Sequence, residues 1–457
     1  MLELLIDILP GLMFLALVVC LFSGAPVAVM LMGVSLVFGT IAILLGEMRL
    51  VQATLIPNRI FGGTIENPVL VAAPMFIFMG LIMERTRIAE DLLVTLQRLM
   101  RVVPGGLGLA VVLMGTILAA ATGIIGASVV MLTVLALPTM VGSGYRPSLA
   151  AGTVAASGTL GILIPPSIML VFMGDLLSVS IGRLFVAALM PGLVLSLLYV
   201  AYIVLYSWLR PSIAPRAPRT AATQEDRKGL WLDTLVALIV PFALIVIVLG
   251  SILGGFATPT EAAGIGAAGA LLLGLLRGRL SLSALADSAD GTIRTVAMLF
   301  FIFVGATAFS YIFRMIGGDA FLVETAQSLN LGDWGLLFAM MGMIFVMGFF
   351  FDWIEITLIV LPIFAPIVAL MDLGDHVASQ NLVYWFAVLV AINLQTSFLT
   401  PPFGFALFYL KGAAGTLVSM EDVYKGIIPF VLLQLSVLAL AIAFPDLILW
   451  LPTALSQ

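Results

Sequence analysis

Two Pro-Pro pairs decide how this sequence folds. Residues 158–167 read GTLGILIPPS, and residues 396–404 read TSFLTPPFG. Each pair stands inside an apolar stretch, 147–174 or 384–410, that is long enough to cross a membrane as a helix. Because proline removes a backbone donor and clashes with the preceding turn, each helix is expected to break there and to free backbone carbonyls far from water. The sequence predicts two broken helices, with a simple proline kink as the alternative.

The whole chain has the composition of a membrane protein. Of its 457 residues, 62% are hydrophobic and 9% are charged, whereas soluble domains have roughly 25% charged residues. We therefore predict an all-α polytopic membrane protein. The net charge of −5 argues against a nucleic-acid partner, since no basic surface is present to neutralise phosphates. A single cysteine, Cys20, and a single histidine, His376, exclude an intrachain disulfide, His-rich metal sites and His-based triads.

About ten apolar segments are predicted to cross the membrane. They are 6–22, 26–45, 67–83, 147–174, 184–209, 231–253, 261–276, 296–315, 384–410 and 427–449. The first begins with acidic residues, and we interpret it as a retained helix and not as a signal peptide. Two further stretches, 106–138 and 334–366, have 33 residues each, which is too long for one crossing and too short for two. Each is predicted to form a re-entrant hairpin with its tip deep in the membrane.

Positive charges predict the orientation of the chain. If the linker 210–229 is cytoplasmic, fifteen Lys and Arg residues lie inside, and four lie outside, namely Arg49, Arg59, Arg183 and Arg314. An excess of Lys and Arg marks the cytoplasmic side of membrane proteins. Both termini are therefore predicted to lie outside.

The two halves of the chain repeat the same order of elements. Residues 1–210 and residues 230–457 each contain a hairpin followed by a broken helix, and the polar, Pro-rich linker 211–229 separates them. Four crossings lie between the two broken helices, so the second broken helix runs opposite to the first. This order predicts an inverted-topology repeat, which is common among secondary transporters.

Oxygen-bearing groups gather at the predicted tips and breaks, and hydroxyl and carbonyl oxygens suit a small cation such as Na⁺. The candidate cation ligands are Thr122, Gly123, Ser128, Gly158, Thr159, Asp352, Thr396 and Thr400. The candidate substrate-binding residues are Ser128, Ser167, Glu355, Thr357 and Ser397. The helix-breaking residues are Pro165, Pro166, Pro401 and Pro402. The alternative for the hydroxyls is a hydrogen bond to their own helix.

Asp352 and Glu355 are the strongest of these candidates. A charged side chain deep in a membrane costs roughly 3 kcal/mol or more, so it is a functional candidate by default. If the second tip lies near the surface, the two are ordinary solvated acids. The sequence contains no Walker-type phosphate loop, so ATP is not expected to drive the protein directly. We expect Na⁺ as the coupling ion, H⁺ as its alternative, and no covalently bound cofactor.

Five short motifs stand out along nearly the whole chain. They are GAPVA at 24–28, PMF at 74–76, GTLG with IPPS within 158–167, TPTEAA at 258–263 and LTPP at 399–402. Together they resemble the large membrane subunit of tripartite ATP-independent periplasmic (TRAP) transporters. The resemblance implies an elevator-type fold of the ion-transporter superfamily, in which the hairpins and broken helices move against a scaffold of the remaining helices.

The same resemblance implies a function and its partners. It implies a Na⁺-driven importer of organic acids in the inner membrane of a bacterium or archaeon, with both termini periplasmic. The implied partners are a small four-helix membrane subunit and a periplasmic solute-binding protein. At the first tip the family has a Ser-rich run, whereas two isoleucines follow Gly123 here. At the second tip the family's aspartate is kept as Asp352, but Trp353 and Ile354 replace its hydroxyl neighbours.

Three other functions compete with this interpretation. A stand-alone ion-coupled carboxylate symporter of the same superfamily would use the same hairpins and broken helices without a small subunit. A channel would also use hydroxyls at membrane depth, but it would not require a binding protein. An intramembrane enzyme would need a His-based metal site, a Ser–His pair or a nucleophile elbow. The sequence has none of these, so we predict that the protein is not an enzyme.

Overall fold

The computed structural model describes residues 2–122, 125–215, 224–328, 330–401 and 404–455, and these residues form helices and connecting loops without any strand. Eight helices in this part of the chain are long and apolar enough to cross a membrane. The predicted all-α membrane fold is thus confirmed, whereas the number of crossings stays a prediction.

The helices of the first half end shortly before the linker. They are α1 (Leu2–Leu21), α2 (Val27–Leu45), α3 (Leu50–Ala53), α4 (Ile56–Ile60), α5 (Ala72–Arg85), α6 (Ile88–Met100), α7 (Gly106–Thr122), α8 (Ile125–Gly142), α9 (Pro147–Thr159), α10 (Ile168–Leu176) and α11 (Ile181–Leu209). A π-helical turn at Phe61–Ile65 and a 3₁₀ turn at Pro68–Val71 lie between α4 and α5.

The second half has a matching series. Its helices are α12 (Gln224–Leu253), α13 (Pro259–Leu276), α14 (Leu282–Met315), α15 (Gly318–Ser328), α16 (Gly332–Met347), α17 (Trp353–Leu370), α18 (Ser379–Ser397), α19 (Phe405–Ala414), α20 (Met420–Ala443) and α21 (Asp446–Leu455). Helix α12 begins inside the predicted linker, at Gln224, and residues 216–223 lie outside the described part of the chain.

The predicted hairpins correspond to the helix pairs α7–α8 and α16–α17. Helices α8 and α17 have 18 residues each, which gives them a length of about 27 Å. Both continue past their predicted ends at Pro138 and Pro366, because a proline inside a membrane helix is tolerated where neighbouring helices satisfy the freed backbone groups. The hairpins are therefore four residues longer at this end than the sequence predicted.

The last predicted crossing, 427–449, is wrong as a single helix. Helix α20 ends at Ala443, and α21 begins at Asp446. Phe444 is extended, with φ −127° and ψ 84°, because a residue before proline is driven out of the helical region. Pro445 therefore separates a membrane-length helix from a short one.

The helices pack in two groups, which contact each other directly through α5 and α7 and through α14 and α17, and which two connecting helices also join. The first helix group comprises α1, α2, α5, α12, α13 and α14; the second helix group comprises α7 to α11 and α16 to α21. Helices α6 and α15 each precede a hairpin and contact both groups. The scaffold predicted from the sequence includes α11 and α20, which pack on the broken helices in the structure. The division into scaffold and moving parts stays a prediction.

Two glycines bring α9 and α20 into backbone contact. A Cβ added at Gly426 would overlap the Ser148 carbonyl, and one added at Gly152 would lie 3.1 Å from the Cα of Gly426. Small residues at a helix crossing allow such close packing in membrane proteins. This crossing fixes the first broken helix against the C-terminal part of the chain.

We expect Gly426→Ala to destabilise the protein, because the added methyl group displaces backbone and not a flexible side chain. Overpacking of this kind costs about 2 kcal/mol, which thermal unfolding of the purified full-length protein will register as a lower midpoint. Gly412→Ala is the matched control, since a Cβ at this helical glycine meets no atom within 4 Å. Equal midpoints for the two variants would contradict the close crossing.

Candidate functional site

Both Pro-Pro stretches interrupt their helices inside the protein. In the first, α9 ends at Thr159, a 3₁₀ turn covers Leu160–Ile162, and α10 begins only at Ile168. In the second, α18 ends at Ser397 and α19 begins at Phe405. Every residue of 158–167 is buried. The interruptions thus place backbone carbonyls in the interior, where they need partners other than water.

The two interruptions meet through one side chain that the sequence analysis missed. Gln395 is fully buried at the end of α18, and its Nε2 donates to Thr159 Oγ1 at 3.4 Å. Its Oε1 is buried without a hydrogen-bond partner among the described residues. A buried amide oxygen without a partner is costly, so this atom is available to a ligand. The available signal was a pair of amides, Asn393 and Gln395, in an apolar stretch just before a break.

Each hairpin closes over the interruption of its own half. A Cβ at Gly158 would lie 2.5 Å from Val129 Cγ2 of α8, and a Cβ at Gly348 would lie 2.6 Å from Ser397 Cβ. Asn393 of α18 also donates to the Met341 carbonyl of α16 at 2.7 Å. The structure therefore gives Gly158 a packing role. Ser128, the neighbour of Val129, is buried beside this contact.

Most of the predicted hydroxyl ligands donate to their own segment. Their bonds are Thr159 to Ala156 O at 3.0 Å, Ser167 to Ile162 O at 2.8 Å, Thr396 to Ile392 O at 2.8 Å, Ser397 to Leu394 O at 2.8 Å and Thr400 to Thr396 O at 2.8 Å. A hydroxyl that donates one bond still has lone pairs for a cation. Thr357 differs, because its Oγ1 is buried without a partner in the described part of the chain.

The two carboxylates form the capping box of α17. Asp352 is the N-cap residue, and its Oδ1 accepts from Trp353 N at 2.8 Å, while Glu355 Oε2 accepts from Asp352 N at 3.2 Å. Such reciprocal bonds satisfy backbone donors at a helix start. Both side chains are half-buried, so neither is an ordinary surface acid. They hold the second tip in shape and keep further lone pairs for a ligand.

Tyr409 belongs to α19, the helix that follows the second interruption. Its ring packs on the first tip, where a Cβ at Gly126 would lie 3.0 Å from Tyr409 Cζ. The predicted residues of both halves thus converge on one region. Gly123 and Pro402 lie outside the described residues, as does the side chain of Thr122.

The chemistry of this region suits a small ion and not a transition metal. The described residues contain no group of three His, Cys, Asp or Glu side chains that would hold a metal ion. The oxygens at the interruptions are carbonyl, hydroxyl, amide and carboxylate oxygens, the ligands of hard cations.

Comparison with known proteins decides the family. Residues 14–447 match the sequence profile of the tripartite ATP-independent periplasmic transporter, DctM component. The chain belongs to this TRAP transporter family. It is a large permease subunit, and therefore a multi-pass membrane protein of a transporter.

Two relatives and one solved structure are similar to this TRAP permease over most of its length. The ectoine/5-hydroxyectoine TRAP transporter large permease protein UehC of Ruegeria pomeroyi is 29% identical, with 96% of this chain and 97% of that protein covered. The C4-dicarboxylate TRAP transporter large permease protein DctM of Pseudomonas aeruginosa is 30% identical, with 86% of this chain and 88% of that protein covered. The crystal structure of the Alcanivorax borkumensis YdaH transporter shares the fold, with a TM-score of 0.58, 14% identity and 88% of each chain covered.

Proposed function

We propose that this TRAP permease imports an organic acid anion by using an inward Na⁺ gradient, and that it acts as a transporter and not as an enzyme. The observation that carries the proposal is the contact between Gln395 and Thr159, because it joins two interrupted helices from opposite halves of the chain. Interrupted helices at a repeat interface are the usual place for coupling ions and substrates in secondary transporters. Their half-helix N-termini favour an anionic group.

The buried oxygen atoms near the interruptions support Na⁺ as the coupling ion. Gln395 Oε1 and Thr357 Oγ1 are buried atoms without a hydrogen-bond partner in the described region, and Asp352 adds a negative charge at the second tip. A cation would satisfy these atoms together with the freed carbonyls. The names of two relatives support the substrate class, since ectoine and C4-dicarboxylates both carry a carboxylate.

An elevator movement fits the packing of the helices. The second helix group holds both interruptions, both hairpins, α11 and α20, and the connecting helices α6 and α15 lead into it from the first group. We propose that the second group moves as one body past the first, with the inverted repeat supplying two poses of similar energy. The proposed partners are a small membrane subunit and a periplasmic solute-binding protein. The proposed location is the inner membrane, with both termini periplasmic.

We expect uptake in proteoliposomes to follow the Na⁺ gradient and to ignore ATP. The reconstituted system contains the permease, its small subunit and the binding protein, with a panel of radiolabelled carboxylates as probes. A tenfold inward Na⁺ gradient stores about 1.4 kcal/mol per ion, enough for about tenfold accumulation per co-transported Na⁺. Accumulation that persists when choline replaces Na⁺ would contradict Na⁺ coupling, and dependence on a pH gradient would then indicate H⁺.

A further inference from the structure

A cavity of about 340 Å³ lies between the two helix groups, apart from the helix interruptions. The first group contributes α14, and the second contributes Leu176 of α10 and Leu358 of α17. Two arginines line the cavity, Arg59 from the end of α4 and Arg314 from the end of α14. Ligand pockets of about this size, with a few polar groups on apolar walls, hold small organic molecules.

The lining of the cavity carries an excess of positive charge. It contains both arginines and the hydroxyl-bearing residues Thr307 and Ser310, but no carboxylate among the described residues. The acid in contact with Arg314 is Asp319, whose Oδ1 lies 3.9 Å from Arg314 Nε, and both side chains are about half exposed. An exposed ion pair of this length contributes little free energy, so Asp319 does not commit the Arg314 guanidinium. With two arginines against this one neighbouring carboxylate, the described lining keeps a net positive charge.

Tyr311 holds one side of the cavity in place. Its hydroxyl donates to the Gln52 carbonyl at 3.0 Å, and the Arg59 guanidinium carbon lies 5.9 Å from its ring centroid. A cation over an aromatic face is stabilised by the ring quadrupole. Arg59 thus has no carboxylate partner among the residues that the structure describes, and its planar donor group suits a carboxylate ligand.

Aromatic rings separate the cavity from the second hairpin tip. Phe303 lines the cavity and packs edge to face on Phe172, with ring centroids 4.8 Å apart. Phe172 in turn lies 6.0 Å from the Trp353 ring, next to Asp352. The rings of Phe303, Phe172 and Trp353 thus form a contact path from the cavity to the second hairpin tip. A change in the relative position of the two helix groups would alter this path.

We propose that this cavity is the first binding site for the incoming anion, and that Arg59 and Arg314 bind its carboxylate before it reaches the helix interruptions. The inference rests on the proposed function as an importer of organic acids. Both arginines belong to the few cations predicted to lie outside, on the side from which the solute arrives. The ligand class is a small mono- or dicarboxylate.

The test measures the electrostatic potential of the cavity and does not require transport. Cys20→Ser and Met315→Cys place a single cysteine at a cavity-lining position whose side chain is 38% exposed. The full-length chain in phosphatidylcholine nanodiscs is treated with the anionic sulfonatoethyl or the cationic trimethylammonioethyl methanethiosulfonate. The quantity measured is the rate of modification by the anionic reagent divided by the rate of modification by the cationic reagent. We expect this ratio to be about tenfold higher for the cysteine in the cavity than for a free thiol in solution, since a positive cleft concentrates anions. Sodium succinate is expected to protect the cysteine at millimolar concentration.

Arg59→Gln and Arg314→Gln are each expected to lower the rate ratio severalfold and to weaken protection by succinate. Arg314→Lys keeps the charge and is expected to keep the ratio. Arg49→Gln changes an exposed arginine that does not line the cavity, and it is the matched control.

An unchanged rate ratio in both Arg59→Gln and Arg314→Gln would overturn the proposal, and so would equal protection by uncharged erythritol. So would a ratio that rises only when anionic phosphatidylglycerol is added, because the arginines would then bind lipid. Failure of Na⁺-driven uptake is a separate result, since no gradient is used here.

Discussion

A cross-link between cysteines introduced at Asn67 and Asp175 is expected to stop transport. Asn67 lies just before the 3₁₀ turn that leads into α5 of the first helix group, and Asp175 lies in the last turn of α10 of the second. The Asn67 amide nitrogen lies 3.0 and 2.9 Å from the two carboxylate oxygens of Asp175. If the second group moves as one body, a covalent bond here holds it in one pose. We expect at least about a tenfold loss of uptake, because both poses are needed for each cycle.

The matched control joins two positions of the second helix group. Thr116 of α7 and Ser196 of α11 have hydroxyl oxygens 3.0 Å apart. Both pairs are made in a Cys20→Ser background, and uptake is measured before treatment with a short bifunctional methanethiosulfonate, after treatment and after reduction. The Thr116 and Ser196 pair is expected to cross-link without loss of uptake. If the Asn67 and Asp175 pair is fully cross-linked and uptake persists, a rocking or local gating mechanism replaces the elevator.

The positions of the interruptions were predictable because their cause is local. Proline lacks the backbone donor and restricts the residue before it, so a Pro-Pro pair in an apolar stretch marks a break without knowledge of the rest of the fold. The two 33-residue stretches were equally informative, since membrane thickness constrains helix length. The wrongly predicted helix boundaries lie at single prolines, because a single proline is tolerated inside one helix and ends another. Pro138 and Pro366 stay inside helices, whereas Pro445 separates two.

The contacts that join the halves were not predictable. Gln395 and Thr159 are 236 positions apart, and no periodicity or spacing in the sequence relates them. Tyr409 likewise resembles any aromatic residue of a membrane helix until the structure places it against Gly126 at the first tip. The membership of α11 and α20 in the second helix group depends on such long-range packing. For α20, Gly152 and Gly426 produce this packing, and each is an ordinary membrane glycine in sequence.

The capping box at the second tip changes how its acids are tested. The sequence offered a cation ligand or a solvated loop acid for Asp352, but the structure adds a third role, the N-cap of α17. Asparagine caps helices about as well as aspartate, whereas alanine loses about 1 kcal/mol. Asp352→Asn therefore removes the charge and keeps the cap. Asp352→Ala removes both.

Asp352→Asn is expected to keep the thermal stability of the protein and to weaken its response to Na⁺. Loss of a charge-assisted contact costs roughly 1.5–3 kcal/mol, which corresponds to about a tenfold or greater rise in the Na⁺ concentration for half-maximal uptake. Glu355→Gln should behave similarly, since its amide oxygen still accepts from Asp352 N. The control is Asp422→Asn, which changes the N3 acid in the capping box of α20, the position that Glu355 has in the capping box of α17. If Asp352→Asn leaves the Na⁺ dependence unchanged while Asp352→Ala lowers the unfolding midpoint, Asp352 serves the helix start alone. The cation would then be held by the carbonyls, Thr159 and Gln395.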